Sequence, residues 1–255
     1  MSPPTAAEDA ANLLWIEVED VRSNPHHDQL GRFSSADGVR ASLATAASVG
    51  EVDSVLRGEL KSITGRDVDV NQAGSDLQIA REHAEGILRV AERFPDARLH
   101  RVATYGPGGS SQLHPPDTSQ YALTGKGTSS SAIYFNTHYA GNADRYRQAM
   151  ENDVNVGWHP KSGHSAVGTG AHEMVHVVAN GRPKAESAAR ATAQTAAKQA
   201  GASTVKQHVG RSIGGYATTN KAELAAEAVS DVILRGKAAS PLSHDIFDQF
   251  DRAQT

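Results

Sequence analysis

Two histidines and one glutamate in residues 168–181 have the types and the spacing of a metal site. This stretch reads GTGAHEMVHVVANG and contains His172-Glu173-x-x-His176. In a helix, residues four apart lie on one face with Cβ atoms about 5–6 Å apart. Both imidazoles can then reach one Zn²⁺ at about 2.0–2.1 Å, and Glu173 is placed to accept a proton from a water that the metal activates. The pattern therefore predicts a hydrolytic zinc centre.

The residues around this motif predict a buried helix. Thr169 has the side chain of a helix N-cap, and Gly181 followed by Pro183 is typical of a helix end. Valine and methionine make the helix apolar on nearly every face except the one that carries the histidines. The alternative is a chance occurrence in a chain with 12 histidines. The apolar surroundings argue against chance, because buried imidazoles and carboxylates need partners.

A third metal ligand is expected downstream, in residues 215–231 (GYATTNKAELAAEAVSD). A catalytic zinc uses three protein ligands and keeps its fourth position for water. Thr219 or Asn220 can cap a helix in this stretch, and the apolar residues that follow recur at helical spacing. Glu223 and Glu227 are four residues apart and share one helix face. From the spacing alone, either glutamate can be the third ligand.

Together, the two motifs resemble those of the gluzincin metallopeptidases, in the branch of anthrax lethal factor. The likeness is carried by HExxH followed by Y-x-x-T-N-x-x-E-L-x-A-E, in that order. It implies that Glu223 is the third zinc ligand, that Tyr216 stabilises the oxyanion, and that Glu227 supports the site from behind the ligands. It also implies an α+β, zincin-like metallopeptidase fold, in which a small mixed sheet packs on helices and the HExxH helix carries the active site.

These observations predict a zinc-dependent metalloendopeptidase whose substrate is a peptide or a protein. In this prediction His172, His176 and Glu223 hold Zn²⁺, Glu173 is the general base, and Tyr216 donates a hydrogen bond to the oxyanion.

Two other roles stay open. A structural protein associated with a phage head could use the same zinc only to stabilise its fold, although such a site needs neither Glu173 nor Tyr216. A toxin or effector protease delivered by a phage would apply the same chemistry to a host protein. The first role places the protein on the virion and the second in the host cytoplasm, so both locations stay open.

The composition excludes several classes of partner and site. The chain has 255 residues, a net charge of -4 and no cysteine. This charge predicts no nucleic-acid partner, and the lack of cysteine excludes disulfides, thiolate zinc ligands and cysteine nucleophiles. No apolar run approaches the roughly 18 residues of a membrane span. The segment MSPPTAAEDA lacks the layout of a signal peptide, so we expect a soluble protein with no membrane partner.

Residues 1–50 differ in composition from the rest of the chain. We expect a short helix and a mobile linker there, followed by one metallopeptidase domain over residues 51–255. Residues 24–38 (NPHHDQLGRFSSADG) resemble the NPxHDxxGRF segment of tailed-phage head and morphogenesis proteins. This resemblance implies a bacteriophage origin and a capsid protein as a further partner. His26 and His27 are of metal-ligand type, but a solvated turn is the favoured interpretation because nothing fixes their geometry.

Hydrophobic periodicity and turn residues predict the remaining elements. Strands are expected at residues 98–105, 132–139 and 154–158, with a polar loop over 110–130. The strand at 132–139 (AIYFNTHY) is either a sheet edge that pairs with an extended substrate or a plain core strand. His159 and the nearby His164 are interpreted as polar residues of the loop before the site rather than as ligands. Helices are expected at residues 51–64, 74–94, 142–151, 183–200, 205–213 and 241–250, and the alanine-rich 183–200 is expected to pack weakly on the surface.

Overall fold

Helices form most of this α+β fold, together with a small mixed sheet of four strands. The computed structural model describes residues 36–111, 120–159 and 165–253. The strands are β1 (Asp69–Asn71), β2 (Leu99–Tyr105), β3 (Ala122–Lys126) and β4 (Ser131–Asn136). The helices are α1 (Ala36–Thr45), α2 (Val49–Thr64), α3 (Leu77–Arg93), α4 (Thr137–Ala140), α5 (Ala143–Asn155), α6 (Ala166–Asn180), α7 (Ala185–Gln199), α8 (Val205–Ser212), α9 (Lys221–Arg235) and α10 (Pro241–Arg252). None of the helices in these ranges combines the length and the apolar composition that crossing a bilayer requires.

The sheet has the strand order β1-β2-β4-β3. Strands β1, β2 and β4 are parallel, and β3 is antiparallel to β4. Helix α3 connects β1 to β2, as a parallel pair requires. The side chains of Val102, Ile133 and Phe135 are buried and anchor the central strands in the core. Among the described residues β3 has no strand on its outer side, so it leaves one backbone edge available for pairing.

The predicted polar loop at residues 110–130 is wrong in its second half, where β3 forms. The sequence of β3 is ALTGK, which has weak strand propensity. Its pairing with the apolar β4 stabilises it, with Leu123 opposite Tyr134 and Thr124 opposite Ile133. Long-range pairing therefore overrides the local preference here.

Two of the predicted strands also differ from the structure. The strand predicted at 154–158 is wrong, because α5 continues to Asn155. The strand predicted at 132–139 ends at Asn136, whose side chain accepts a hydrogen bond from His138 N at 3.0 Å and caps α4. This strand, β4, lies between β2 and β3, so it is a core strand and not the sheet edge.

Helix α6 starts earlier than predicted, and part of the predicted linker is helical. Ser165 caps α6, and Thr169 lies buried inside that helix, where Tyr146 Oη donates to its hydroxyl at 2.6 Å. Helix α1 occupies part of the predicted linker, and one compact unit spans residues 40–255. The helix predicted near the N-terminus and the phage-like segment lie outside the described residues, except for the last three residues of that segment, which begin α1.

Helix α7 is packed more closely than its composition predicted. Its buried alanines recur every four residues and form a stripe along the helix. The helix packs against α9 and α10. Small side chains let helix backbones approach one another, so the prediction of weak surface packing is wrong. The buried members of the stripe are Ala185, Ala189, Ala193 and Ala197.

The HExxH helix α6 lies directly against the backbone of α3. A Cβ atom added at Gly86 would lie 2.0 Å from Val167 O, and one added at Gly170 would lie 2.3 Å from His83 O. Both distances are far below van der Waals contact, and both neighbours are backbone atoms that cannot rotate away. These two glycines therefore set how deeply α6 sits in the core.

We expect Gly86→Ala and Gly170→Ala to destabilise the protein by about 1–3 kcal/mol or more each, because they overpack this contact. The matched control is Gly58→Ala in α2, where an added Cβ meets nothing within 4 Å. That change should stabilise the protein by up to about 1 kcal/mol through helix propensity. Chemical denaturation measures all three, and equal effects at the three positions would contradict the close contact.

Candidate metal centre

The two histidines of the HExxH motif and Glu223 bring three ligand-type atoms together. His172 Nε2 lies 3.1 Å from His176 Nε2. Glu223 Oε2 lies 2.8 Å from His172 Nε2 and 3.3 Å from His176 Nε2. Both histidines are buried and Glu223 is half-buried. Two nitrogens and one oxygen that converge in this way fit the donor set that Zn²⁺ prefers.

Helix capping fixes the position of Glu223. Asn220 is the N-cap of α9, and its Oδ1 accepts hydrogen bonds from Ala222 N at 2.8 Å and Glu223 N at 3.0 Å. Asparagine at an N-cap satisfies backbone donors that the helix itself cannot pair. Glu223 therefore leaves the first turn of α9 from a backbone that the cap holds in place.

Glu227 lies one turn further along α9 and contacts two imidazoles. Its Oε1 lies 3.3 Å from His172 Nδ1 and 3.2 Å from His159 Nδ1. A hydrogen bond from His172 Nδ1 to a carboxylate leaves the Nε2 lone pair of that histidine available to a metal. Glu227 thus contacts Nδ1 of His172 and not the Nε2 atoms that converge with Glu223, while His159 contacts the same carboxylate oxygen of Glu227.

Burial and charge pairing oppose each other in the ionisation of this cluster. Burial raises the pKa of Glu223, but hydrogen bonds with His172 and His176 outweigh it and hold that pKa well below its usual range. Burial acts in the same way on Glu227, and hydrogen bonds with His159 and His172 still lower its pKa to about 2. Burial would lower the pKa of His172, but its contacts with the two glutamates raise it. Both carboxylates are therefore ionised at neutral pH, which is the form that binds a cation.

Glu173 is held by the edge strand of the sheet. Thr124 Oγ1, on β3, lies 2.6 Å from Glu173 Oε2 and 3.1 Å from the backbone oxygen of Glu173. A hydroxyl that donates to a carboxylate oxygen restricts its rotamer. The carboxylate beside the ligand His172 is therefore oriented by a residue that is remote in sequence.

Tyr216 lies beside the ring of His172, on a short 3₁₀ turn. Its ring centroid lies 5.7 Å from that of His172. Two backbone hydrogen bonds hold the turn, from Gly215 N to Gly157 O at 3.0 Å and from Tyr216 N to Trp158 O at 2.8 Å. Burial, followed by the nearby glutamates, raises the pKa of Tyr216, so its phenol stays protonated and can donate a hydrogen bond.

All of these groups line one cleft with a volume of about 550 Å³. Strand β3 and the preceding residues form one wall, and α6 carries the two histidines and Glu173 along its floor. The other walls come from α5, from the loop after α5, and from α9. A cleft of this size can admit several residues of an extended peptide.

The structure brings together every site residue that the sequence singled out. Those residues all line the cleft: His172, Glu173, His176, Tyr216, Glu223 and Glu227. Spacing alone left the two glutamates equivalent as candidate ligands, and the geometry distinguishes them. Glu223 faces the Nε2 atoms and Glu227 faces an Nδ1 atom. His26, His27 and His164 lie outside the described residues.

Sequence reasoning missed two residues of the cleft. Thr124 was missed because it lies in a predicted loop, and Trp158 because it lies in a wrongly predicted strand. His159 was singled out as a polar residue of the loop before the site, but its contact with Glu227 was not predicted.

Comparisons with protein-family models, with curated proteins and with solved structures give no match for this chain. What the site can do therefore follows from its own residues. Two buried imidazoles and a converging carboxylate can bind a divalent cation, and a second carboxylate and a phenol stand beside it to move a proton and to donate a hydrogen bond.

We expect His159→Ala to weaken zinc binding by up to about tenfold, because His159 holds Glu227, and direct partners of a ligand histidine such as Glu227 contribute about ten- to a hundredfold to metal affinity. His159→Asn places an amide nitrogen near the position of Nδ1 and should retain most of the affinity. Competition with a chelating dye measures both.

The control for this prediction is His138→Ala, at an exposed histidine on α4. A double variant tests whether His159 affects zinc affinity through Glu227. In the presence of Glu227→Ala, His159→Ala should cause no further loss of affinity. Additive losses, or equal affinities in the His159→Ala and His138→Ala variants, would show that His159 does not act through Glu227.

Proposed function

We propose that this protein is a zinc-dependent metalloendopeptidase with a zincin-like fold. The observation that carries the proposal is the convergence of His172, His176 and Glu223 beside Glu173 in an open cleft. The first three would hold Zn²⁺, and Glu227 would orient one of the histidines. When bound, the metal supplies Lewis acidity, which lowers the pKa of a coordinated water to about 7 and polarises a carbonyl group.

Proton transfer falls to Glu173. It follows His172 directly on the buried helix, and Thr124 fixes one of its carboxylate oxygens at 2.6 Å. In the proposed reaction Glu173 accepts a proton from the attacking water and then gives it to the amine that leaves. A carboxylate held in one rotamer serves both steps without reorganising.

In the proposed reaction Tyr216 would stabilise the negative charge that develops on the carbonyl oxygen. Its phenol stays protonated and lies beside the ring of His172. A donor that meets the oxygen mainly in the transition state raises the rate more than it strengthens substrate binding. The backbone bonds between Gly215–Tyr216 and Gly157–Trp158 hold this donor in place.

An extended peptide fits the wall of the cleft that β3 forms. This strand has an unpaired outer edge among the described residues, and it also carries Thr124, which holds Glu173. Addition of a peptide strand along such an edge uses backbone hydrogen bonds that do not depend on sequence. The scissile bond would then lie close to the general base.

A purely structural zinc site is less well supported by the same geometry. Structural zinc is usually enclosed by four protein ligands. In the described part of the chain three ligand atoms converge, and they line an open cleft. A site that only stabilised the fold would need neither Glu173 nor Tyr216.

A phage-delivered effector would use the same site on a host protein, and it remains a variant of this proposal. Its support is the phage-like segment at residues 24–38. Toxicity on expression in a bacterial host that disappears with Glu173→Gln would favour this variant over a peptidase that acts on phage proteins.

The proposal predicts cleavage of denatured casein by zinc-loaded protein and no cleavage after removal of the metal by a chelator. Glu173→Gln should lower turnover about 10²- to 10⁴-fold, and Tyr216→Phe about 10²- to 10³-fold, while both variants still bind about one equivalent of zinc. Glu223→Ala should lose zinc. Mass spectrometry of the products and elemental analysis of the proteins give the two readouts.

A matched control for the first change is Glu151→Gln, at an exposed glutamate of α5. It should cleave and bind zinc like the wild type. Zinc binding without cleavage of casein or of a random peptide library would refute the peptidase. Loss of zinc in Glu227→Ala but not in Glu223→Ala would reverse the ligand assignment.

A further inference from the structure

Each of the five acidic side chains that line the described part of the cleft contacts another group of the chain, and four of them belong to the proposed metal centre or hold a helix end. Each of these contacts fixes a carboxylate oxygen at 3.3 Å or less. The four acids and their partners are Glu173 with Thr124, Glu223 with the two ligand histidines, Glu227 with His159 and His172, and Asp231 with Ser243. These four carboxylates therefore already contribute to the fold or to the proposed metal centre.

Asp153 is the fifth of these acids. It lines the cleft from α5, it is half-buried, and Tyr121 Oη donates to its Oδ2 at 2.7 Å. Within the described ranges no lysine or arginine forms an ion pair with it. Lys126 also lines the cleft, but it pairs with Glu186 at 3.0 Å. Among the described residues, Asp153 is therefore a carboxylate of the cleft that no basic side chain neutralises.

The position of Asp153 in its helix increases this negative potential. Asp153 lies in the last turn of α5, a turn that contains no basic residue. The C-terminal end of a helix carries a partial negative charge, so a carboxylate there is disfavoured and a cation is favoured. A residue that violates a local preference without a compensating partner is often explained by function.

Two aromatic residues of the cleft are attached to Asp153. Tyr121 contacts its carboxylate, as described above, and both Tyr121 and Trp158 line the cleft. Trp158 is 42% exposed, an unusual fraction for so large a side chain. The backbone N of Trp158 donates to the backbone O of Asp153 at 2.7 Å, which attaches the backbone at Trp158 to the end of α5. Burial and the neighbouring carboxylate raise the pKa of Tyr121, so its phenol continues to donate to Asp153. Aromatic faces attract cations and pack on the methylene stems of lysine and arginine.

We propose that Asp153, Tyr121 and Trp158 form a subsite that binds a cationic side chain, lysine or arginine, of the peptide in the cleft. The carboxylate pairs with the charge, and the rings pack on the stem. This assignment rests on the proposed peptidase for the presence of a peptide. It adds that the preferred substrates are basic at one position.

Peptide binding to zinc-loaded Glu173→Gln protein tests the subsite without requiring turnover. The probes are five acetylated and amidated penta-alanines, each with arginine at a different position, and the same five peptides with citrulline in place of arginine. Citrulline has nearly the same shape and no charge. Isothermal calorimetry measures the affinities. A second variant that also carries Trp15→Phe leaves Trp158 as the single tryptophan, whose fluorescence then reports on the subsite.

For at least one position we expect the arginine peptide to bind about tenfold more tightly than its citrulline partner, the difference that one charge-assisted hydrogen bond contributes. Asp153→Asn keeps an acceptor for Tyr121 and should bring this ratio close to one. Asp144→Asn, at a fully exposed acid on the same helix, should leave the ratio unchanged. Thermal unfolding checks that both variants are folded.

A ratio near one at every position in the Glu173→Gln protein would overturn the subsite, as would an unchanged ratio in Asp153→Asn. Lack of measurable binding by all ten peptides up to millimolar concentration would overturn it too. Incubation of the same peptides with the wild type tests the peptidase separately. A charge-dependent affinity that needs Asp153, without cleavage of these peptides, of casein or of the random peptide library, would remove the proposed peptidase and leave the cationic subsite.

Discussion

The pairing of imidazoles on α6 with carboxylates on α9 is the interaction on which the rest of the site depends. An isolated charge inside a protein is strongly disfavoured, whereas a charge with hydrogen-bonded partners is tolerated. His172 contacts Glu223 through one ring nitrogen and Glu227 through the other, so one imidazole connects two successive turns of α9. The two helices can therefore adopt very few relative positions without leaving a buried charge unpaired. A cation bound between them would be held by groups that already hold each other.

The fold supplies this pairing with rigid supports on both sides. Helix α6 is seated on α3 through backbone contacts at Gly86 and Gly170. Helix α9 is fixed at its start by the Asn220 cap and near its end by Asp231, which accepts hydrogen bonds from the first residues around α10. Small residues dominate these contacts, which suits a chain with few aromatic side chains. Close backbone packing thus takes the place of large side chains in positioning the site.

The parts of this structure that the sequence predicted are those in which the signal is local. The HExxH spacing, the Asn220 cap and the periodicity of the long helices each lie within a few turns of chain, and the structure has helices there. Strand β3 was not predicted because its stability comes from pairing with β4, and the residues of β3 alone favour a loop. The start of α6 was misplaced because Thr169 is of capping type, although its hydroxyl is engaged by Tyr146 inside the helix. The choice between Glu223 and Glu227 likewise depended on rotamers that spacing does not define.

The same distinction between local and long-range signals applies to the cleft, where it divides the proposed catalytic residues from the residues that would contact a substrate. Two of the proposed metal ligands and the proposed general base lie within five residues on α6 and form a motif, whereas Glu223 comes from the later helix α9. The residues that would meet a substrate need only line the same space, and here they come from β3, the end of α5 and the loop that follows it. A backbone hydrogen bond joins Trp158 to Tyr216 although 58 positions separate them, so the loop after α5 and the proposed oxyanion donor are attached to each other. In the proposed peptidase, a change in that loop would alter both which peptide enters the cleft and how well Tyr216 is placed, and specificity would be coupled to turnover.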